Sequence, residues 1–463
     1  MAVTSQDLPV DLLPCFLQWL SFRLQDLSHI SQVSKVFRQA ALPFLYERIR
    51  VRDITRLKLL FESLANKTEL CMYLRRLELR VWPLATNDPG REALERQVLI
   101  TLHHATKLKR LDFTRRGSMT DEMFEALTER SNLETLELNG SPLYFSPASI
   151  LRLPPSLSSL QIILPTREVM GFLPAALERI KPTLRSLTLL GSKSTCINNA
   201  FIEALVPLQL SLQSLTLAGC PRLTDDPLLE LLVHLGPGLN TLALEALGIS
   251  SVFLNKITQN VTLDGLKAFK TTIDPRIALL GYPDPSFASL AKFVAACPNL
   301  TSLGFYCSGH HMDRFGALTY PVVPNDFTIT LTRSPCAPKL TTFECYGIVY
   351  PLSHLPSLCI NLTSLENLGL HVWAWDQEPL QEALNRLDSL ESLHLLSVKE
   401  TEKGDAERLI DGLRTPCIKQ FGVRNRVWDI GRHVNSEGCV NKSLEPFDWS
   451  SQQIPSIFTF IRS

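Results

Sequence analysis

The chain has no surplus of either charge: its 463 residues carry 46 Lys plus Arg against 46 Asp plus Glu, with a pI near 7.1. That balance gives no support to a general nucleic-acid or membrane-surface role, so neither partner is expected. None of the 11 cysteines forms a Cys-x-x-Cys pair, and the odd total fits buried free thiols in a reducing compartment better than a disulfide framework. No apolar run approaches the roughly 18 residues that a membrane-crossing helix needs. The opening Met-Ala-Val-Thr-Ser-Gln-Asp lacks the basic and apolar regions of a secretory signal. The expected location is therefore the cytoplasm and/or nucleus. Gly-x-Ser-x-Gly, Walker and His-Glu-x-x-His motifs are missing too. Cys297, Cys307, His310 and His311 do not make the tightly spaced four-ligand set that zinc favours. No metal, cofactor or catalytic residue is expected.

What is abundant is leucine, arranged in one phrase. Leu-x-x-Leu-x-Leu begins at Leu133, Leu184, Leu212, Leu239, Leu365 and Leu390. Weaker copies begin at Leu74, Leu108, Leu157, Leu263, Leu300, Leu340 and Ile418, making thirteen in all. Seven of the twelve spacings between copies are 24–27 residues, enough for a strand, a turn and a helix. In a strand, alternate side chains share a face, so the last two leucines of each phrase point inward and the residues between them point outward. One repeat cannot bury its leucines alone, so neighbours must stack.

The spacing thus predicts an α/β fold: a curved leucine-rich repeat solenoid over residues 49–425, with a parallel sheet on its concave face. Helices are expected at Asp121–Glu129, Pro227–Leu235, Ser286–Ala296 and Gln377–Arg386. An insertion at 307–338 breaks the rhythm; it contains several prolines, His310 and His311, and Phe315, Tyr320 and Phe327. Residues 426–463 lose the phrase but keep Trp428, Phe447, Trp449, Phe458 and Phe460, as expected of a cap over the last repeat.

Residues 1–48 follow a helical period instead. Leu8, Leu12, Phe16 and Leu20 are spaced by four, and a second stripe runs from Leu27 to Leu45. Ser34 is placed to cap a helix reaching about Leu45. Three short helices with a shared core are expected.

The outward strand positions change along the chain. Early copies present Arg76, Glu78, Arg80, Arg110 and Asp112, middle copies mostly Ser and Thr, and late copies Tyr306, Glu344, Tyr346, His371 and His394. Residues 48–116 hold 16 Lys plus Arg against 8 Asp plus Glu, a net of +8 by subtraction. Two target surfaces follow. One is a late patch of Tyr306, Tyr346, His371 and His394 with the insertion as its wall, suited to a partly wet protein surface. The other is a basic face of Arg76, Arg80 and Arg110, suited to an acidic or phosphorylated segment.

Residues 8–49 also resemble an F-box, the adaptor-binding module of SCF-type ubiquitin ligases. The resemblance rests on Leu8-Pro9-Val-Asp11-Leu12-Leu13, Phe16-Leu17, Leu20, Asp26-Leu27, Val33-Ser34-Lys35-Val-Phe37-Arg38 and Ala41-Leu-Pro43-Phe-Leu45-Tyr46. Pro14 departs from the pattern, falling within the expected first helix, where it predicts a later start or a kink. Leu212-Gln-Ser-Leu215-Thr-Leu217-Ala-Gly-Cys220-Pro-Arg-Leu223-Thr224-Asp225 resembles the cysteine-containing leucine-rich repeats common in F-box proteins. The resemblance implies a non-catalytic substrate-recognition subunit. It would bind a Skp-family adaptor, and through it a cullin, by Leu8, Pro9, Leu12, Phe16, Leu20, Val33 and Phe37. The repeats would hold an unknown target. The alternative is a leucine-rich repeat scaffold without ligase coupling.

Overall fold

The inward leucines decide the architecture. In the computed structural model Leu136, Leu187, Leu215, Leu242, Leu368 and Leu393 are each no more than 2% exposed. The structure describes residues 10–20, 24–83, 89–192, 195–273, 285–307, 311–312, 318–399, 403–424, 426–434 and 440–447. The chain forms two units, built chiefly of Met1–Ile197 and Gln213–Asp448.

The first unit opens with three helices, α1 (Leu13–Trp19), α2 (Leu24–Val33) and α3 (Lys35–Glu47). Ser34 accepts a hydrogen bond from the Phe37 amide and so caps α3. Pro14 does not kink α1: it occupies the first turn, where a missing N–H costs nothing, after a short 3-10 turn over Val10–Leu12. Leu17, Leu27 and Ala41 form the core of the three helices, with Leu20, Ile30 and Phe44 packed around them.

Six parallel strands follow in sequence order: β1 (Arg48–Val51), β2 (Arg76–Leu79), β3 (Arg110–Phe113), β4 (Thr135–Asn139), β5 (Ser159–Ile163) and β6 (Ser186–Leu190). The leucine phrase does not mark β1, because Ile49 and Val51 occupy the positions that pair with Leu77 and Leu79.

The second unit carries β7 (Ser214–Ala218), β8 (Thr241–Glu245), β9 (Ala268–Thr272) and β10 (Ser302–Tyr306). A two-residue ladder of β11 (His311–Met312) and β12 (Leu318–Thr319) then intervenes. The sheet resumes with β13 (Thr342–Val349), β14 (Asn367–Val372), β15 (Ser392–Ser397) and β16 (Gln420–Val423). It ends in an antiparallel pair, β17 (Arg426–Val434) and β18 (Val440–Pro446). In both units the strands form one layer and the helices the other, and strands stack about 4.8 Å apart where helices need 8–10 Å. Each unit therefore curves toward its strand layer.

One copy sits three residues later than its leucines suggest. Phe269 pairs with Leu242 and Thr271 with Leu244, so the phrase is Leu266-x-x-Phe269-x-Thr271 rather than one beginning at Leu263. Thr271 takes a core position and is 4% exposed.

Helix starts tie neighbouring repeats together. The first helical residue reaches across: Asp121 accepts from the Ser146 amide at 2.9 Å, Asn199 from the Thr224 amide at 3.0 Å, and Asp225 from the Ser250 amide at 2.8 Å. A carboxylate at a helix N-terminus is favourable in itself, so two of these links also serve the helix. Trp428 on β17 stacks on Phe421, with ring centres 6.3 Å apart, and covers the inner face of the last parallel strand.

Candidate binding surfaces

The N-terminal helices bury one side and expose the other. Leu13 and Leu17 point into the core, while Leu12, just before α1, and Phe16 and Trp19, on another side of α1, are 46%, 56% and 84% exposed. Val10 before α1, and Val33 and Val36 at the turn from α2 to α3, are also exposed. Clustered exposed apolar side chains of this size mark interaction sites. Of the residues the resemblance points to, Leu12, Phe16 and Val33 are exposed. Leu20 and Phe37 are half-buried, with Leu20 supporting the helical core. Leu8 and Pro9 lie outside the described residues. The sequence placed Val36 in a helical stripe but named neither it, Val10 nor Trp19 as an adaptor contact; the spacing of Trp19 from Phe16 was the available signal.

The basic early face is not the open cationic surface that its composition suggests. In strand register Glu78, Asp112 and Glu137 stand side by side on β2, β3 and β4. Arginines surround them: Arg50 meets Glu78 at 2.9 Å, Arg80 bonds Glu78 and lies 3.6 Å from Glu137, and Arg110 lies 3.0 Å from Asp112 and 3.6 Å from Glu137. Burial raises the Glu78 carboxyl, but Arg80 and Arg50 outweigh it and hold the group below its ordinary range. Asp112 goes the other way, because burial outweighs Arg110. Three guanidiniums thus meet three carboxylates. Arg80 and Arg110 are held within this network, while Arg76 remains exposed.

The late patch needs a correction as well. Tyr346, His371 and His394 occupy the outward side of the strand layer, yet they are only 8%, 5% and 5% exposed. Two features bury them. Large side chains lie flat across glycines on the next strand: a Cβ on Gly369 would meet the Tyr346 hydroxyl at 2.0 Å, and one on Gly422 would meet the His394 ring at 2.2 Å. The C-terminal part of the chain then covers Tyr346, as Val427 and Phe447 form a buried cluster with it, against which Tyr306 and Leu396 pack. Tyr346 and His394 meet edge to face at 5.5 Å. From the insertion, Tyr320 sets its ring 4.9 Å from His371. Val349 accepts a hydrogen bond from the Val323 amide and donates one to the Pro321 carbonyl. Tyr306 is half-buried and donates to Glu245 at 2.7 Å. Burial raises the Glu245 carboxyl despite that bond. Lys270 bridges past Gly304 to Glu344 at 3.2 Å.

Burial lowers the His394 ring to about 4, although Nε2–H donates to the Arg424 carbonyl at 3.0 Å, which favours the charged form. The folded value lies below the unfolded one, so the unfolded chain binds the extra proton between about pH 6.5 and 4. The contribution of His394 to stability is complete above that window and is lost as pH falls through it, on the order of 3 kcal/mol in all. In urea unfolding between pH 7 and 4, His394→Gln is expected to lose less stability than the unsubstituted chain. Parallel pH curves for the two would contradict this.

Cys71, Cys220, Cys297, Cys307, Cys336, Cys345 and Cys359 are buried thiols. Burial raises the Cys71 thiol to about 11 and the Cys359 thiol to about 12, which makes both poor nucleophiles. His310 and the His311 side chain lie outside the described residues. No helix among the described residues is long and apolar enough to cross a membrane.

No family model matches the sequence, and no curated protein matches it. Similar solved structures do exist. A chain of the yeast Rad7–Elc1 complex is 13% identical with a TM-score of 0.45, the match covering 92% of this chain and 99% of that one. The leucine-rich repeat-containing protein LegL7 of Legionella pneumophila is 15% identical with a TM-score of 0.37, covering 76% of this chain and 96% of that one. The TLR13–ssRNA13 complex gives 16% identity and a TM-score of 0.35, covering 80% of this chain and 61% of that one.

Proposed function

We propose that this chain is a substrate-recognition subunit of an SCF-type ubiquitin ligase, docking a Skp-family adaptor on its N-terminal helices and a target protein on its repeats. The observation that carries the reading is the exposed apolar set Leu12, Phe16 and Trp19, with Val10, Val33 and Val36 also exposed, on a helical module whose own core is already filled by Leu17, Leu27 and Ala41. Water-exposed aromatic residues on a completed core are costly unless a partner covers them. Pro14 in the first turn of α1 leaves that face undistorted. The F-box resemblance of the same residues supplies the kind of partner.

In this role the chain holds a target so that its lysines meet a charged conjugating enzyme at high local concentration. Catalysis is then proximity, and the chain supplies no reacting group. Co-expression of the full chain with a Skp-family adaptor tests the reading. A stoichiometric complex through size exclusion is expected. A chain that purifies free of adaptor under the same conditions would instead support a leucine-rich repeat scaffold without ligase coupling.

A further inference from the structure

The sequence contains a single Asn-Gly pair, Asn139–Gly140, and the fold places it where three repeats of the first unit meet. Asn139 ends β4, pairs with Ile163 on β5 and is only 7% exposed. Its side-chain amide is engaged at both ends. The nitrogen donates to the Thr114 carbonyl, just past β3, at 3.1 Å, and the oxygen accepts from the Ser141 amide at 3.0 Å. Gly140 is equally committed: its amide donates to the Ile163 carbonyl at 2.7 Å, and its carbonyl accepts from the Thr166 amide at 3.1 Å. A Cβ at 140 would meet the Ile162 side chain at 2.6 Å and the Pro165 backbone at 2.7 Å, so the packing requires glycine. The links require Asn139 and the space requires Gly140. The fold therefore carries the residue pair in which no Cβ hinders attack of a backbone nitrogen on the asparagine side chain.

The reaction open to such a pair is deamidation. The Gly140 nitrogen attacks Asn139 Cγ; a C–N bond forms, the Cγ–Nδ2 bond breaks, and the Gly140 proton leaves with Nδ2 as ammonia. Water then adds to either carbonyl of the cyclic imide and leaves aspartate or isoaspartate at position 139. In the folded chain the first step is blocked. To reach Cγ, the Gly140 nitrogen must turn toward the Asn139 side chain and give up Ile163, while that side chain must release Thr114 and Ser141. Three hydrogen bonds thus hold the reacting groups apart. Local opening of these repeats removes all three together.

The product does not fit the site it came from. A carboxylate at 139 has no proton for the Thr114 carbonyl, so two acceptors would face each other at a buried position. Glu137, two residues earlier on the same strand face, is a buried carboxylate already. The arginines beside it are committed: Arg80 serves Glu78 and Glu137, and Arg110 serves Asp112 and Glu137. An isoaspartate also lengthens the main chain by one methylene, which moves Gly140 out of register with Ile163 and Thr166. Either product opposes reclosure.

We propose that Asn139 is a conditional modification site: spontaneous deamidation is closed while the first unit is folded, opens when β3 to β5 separate, and then keeps them from re-forming. The chain thereby makes one unfolding event in its repeats irreversible. The proposal is independent of whether the N-terminal helices dock an adaptor.

The experiment is peptide mass spectrometry of the full chain aged at mildly alkaline pH, in buffer and in unfolding urea, beside a synthetic peptide of residues 136–142. Amide-to-acid conversion at 139 is expected to be at least about tenfold slower in the folded chain than in urea, where it should match the peptide. Leu111 is 0% exposed and pairs with Leu136, so Leu111→Ala hollows the core beneath this joint. That variant is expected to raise the rate in buffer at least about tenfold. Chain aged in urea and returned to buffer should recover less native circular dichroism as conversion proceeds, while Asn139→Ser, which has no amide to lose, should recover as well after ageing as before. Asn139→Asp should melt below the unsubstituted chain. Equal rates in buffer and urea, no acceleration by Leu111→Ala, an unchanged melt of Asn139→Asp, or the same loss of recovery in Asn139→Ser would each overturn the proposal.

Discussion

Phe16→Ala/Trp19→Ala is expected to weaken adaptor binding by two to three orders of magnitude, about 3–4 kcal/mol, while leaving the melting curve where it was. The two effects separate because both rings project from a core they do not fill. Phe16 is 56% and Trp19 84% exposed, so truncation removes little buried area from the free chain. At an interface the same rings would be the large, rigid side chains that dominate binding energy. Calorimetric titration of each variant with the adaptor, beside a thermal melt, gives both numbers. A matching drop in melting temperature would mean the residues serve the fold rather than a partner.

The second large effect lies in the repeats. Leu215→Asp is expected to destabilise the second unit by at least about 4 kcal/mol, since Leu215 is 0% exposed and a carboxylate there has no buried partner. Its strand neighbour Leu242 is equally deep in the same core, 1% exposed, so the damage passes to the next repeat. Leu215→Met, which keeps the volume, should cost less than about 1.5 kcal/mol. Urea unfolding followed by circular dichroism measures both. A Leu215→Asp chain within about 1 kcal/mol of the unsubstituted one would mean that this leucine is not a core residue.

The sequence exposed the repeat architecture because burial in a parallel strand imposes a period, and leucine filled most inward positions. It missed one strand and misplaced another for the converse reason. At β1 the inward residues are Ile49 and Val51, which break the phrase without breaking the physics. At β9 Thr271 takes a leucine position while Leu263, three residues before the true start, imitates one.

The outward face was harder to read, because alternation says which way a side chain leaves the strand but not what later covers it. Tyr346 and His394 become buried through Gly369 and Gly422 on other strands and through Val427 and Phe447, residues far along the chain. Arg50 likewise meets Glu78 on the next strand, a relation that only strand register reveals. On the helical module the stripe of Leu12 and Phe16 was legible, while the exposure of Trp19 and Val36 depended on how α1 packs on its neighbours.

The most direct test of the central claim is amide hydrogen exchange on the full chain, alone and saturated with a Skp-family adaptor. Adaptor docking on the N-terminal helices is expected to slow exchange at 10–20 and around the α2–α3 turn, at 33–37, with β7 to β10 unchanged. Protection confined to the strands of the repeats, or no protection anywhere at saturating adaptor, would contradict it.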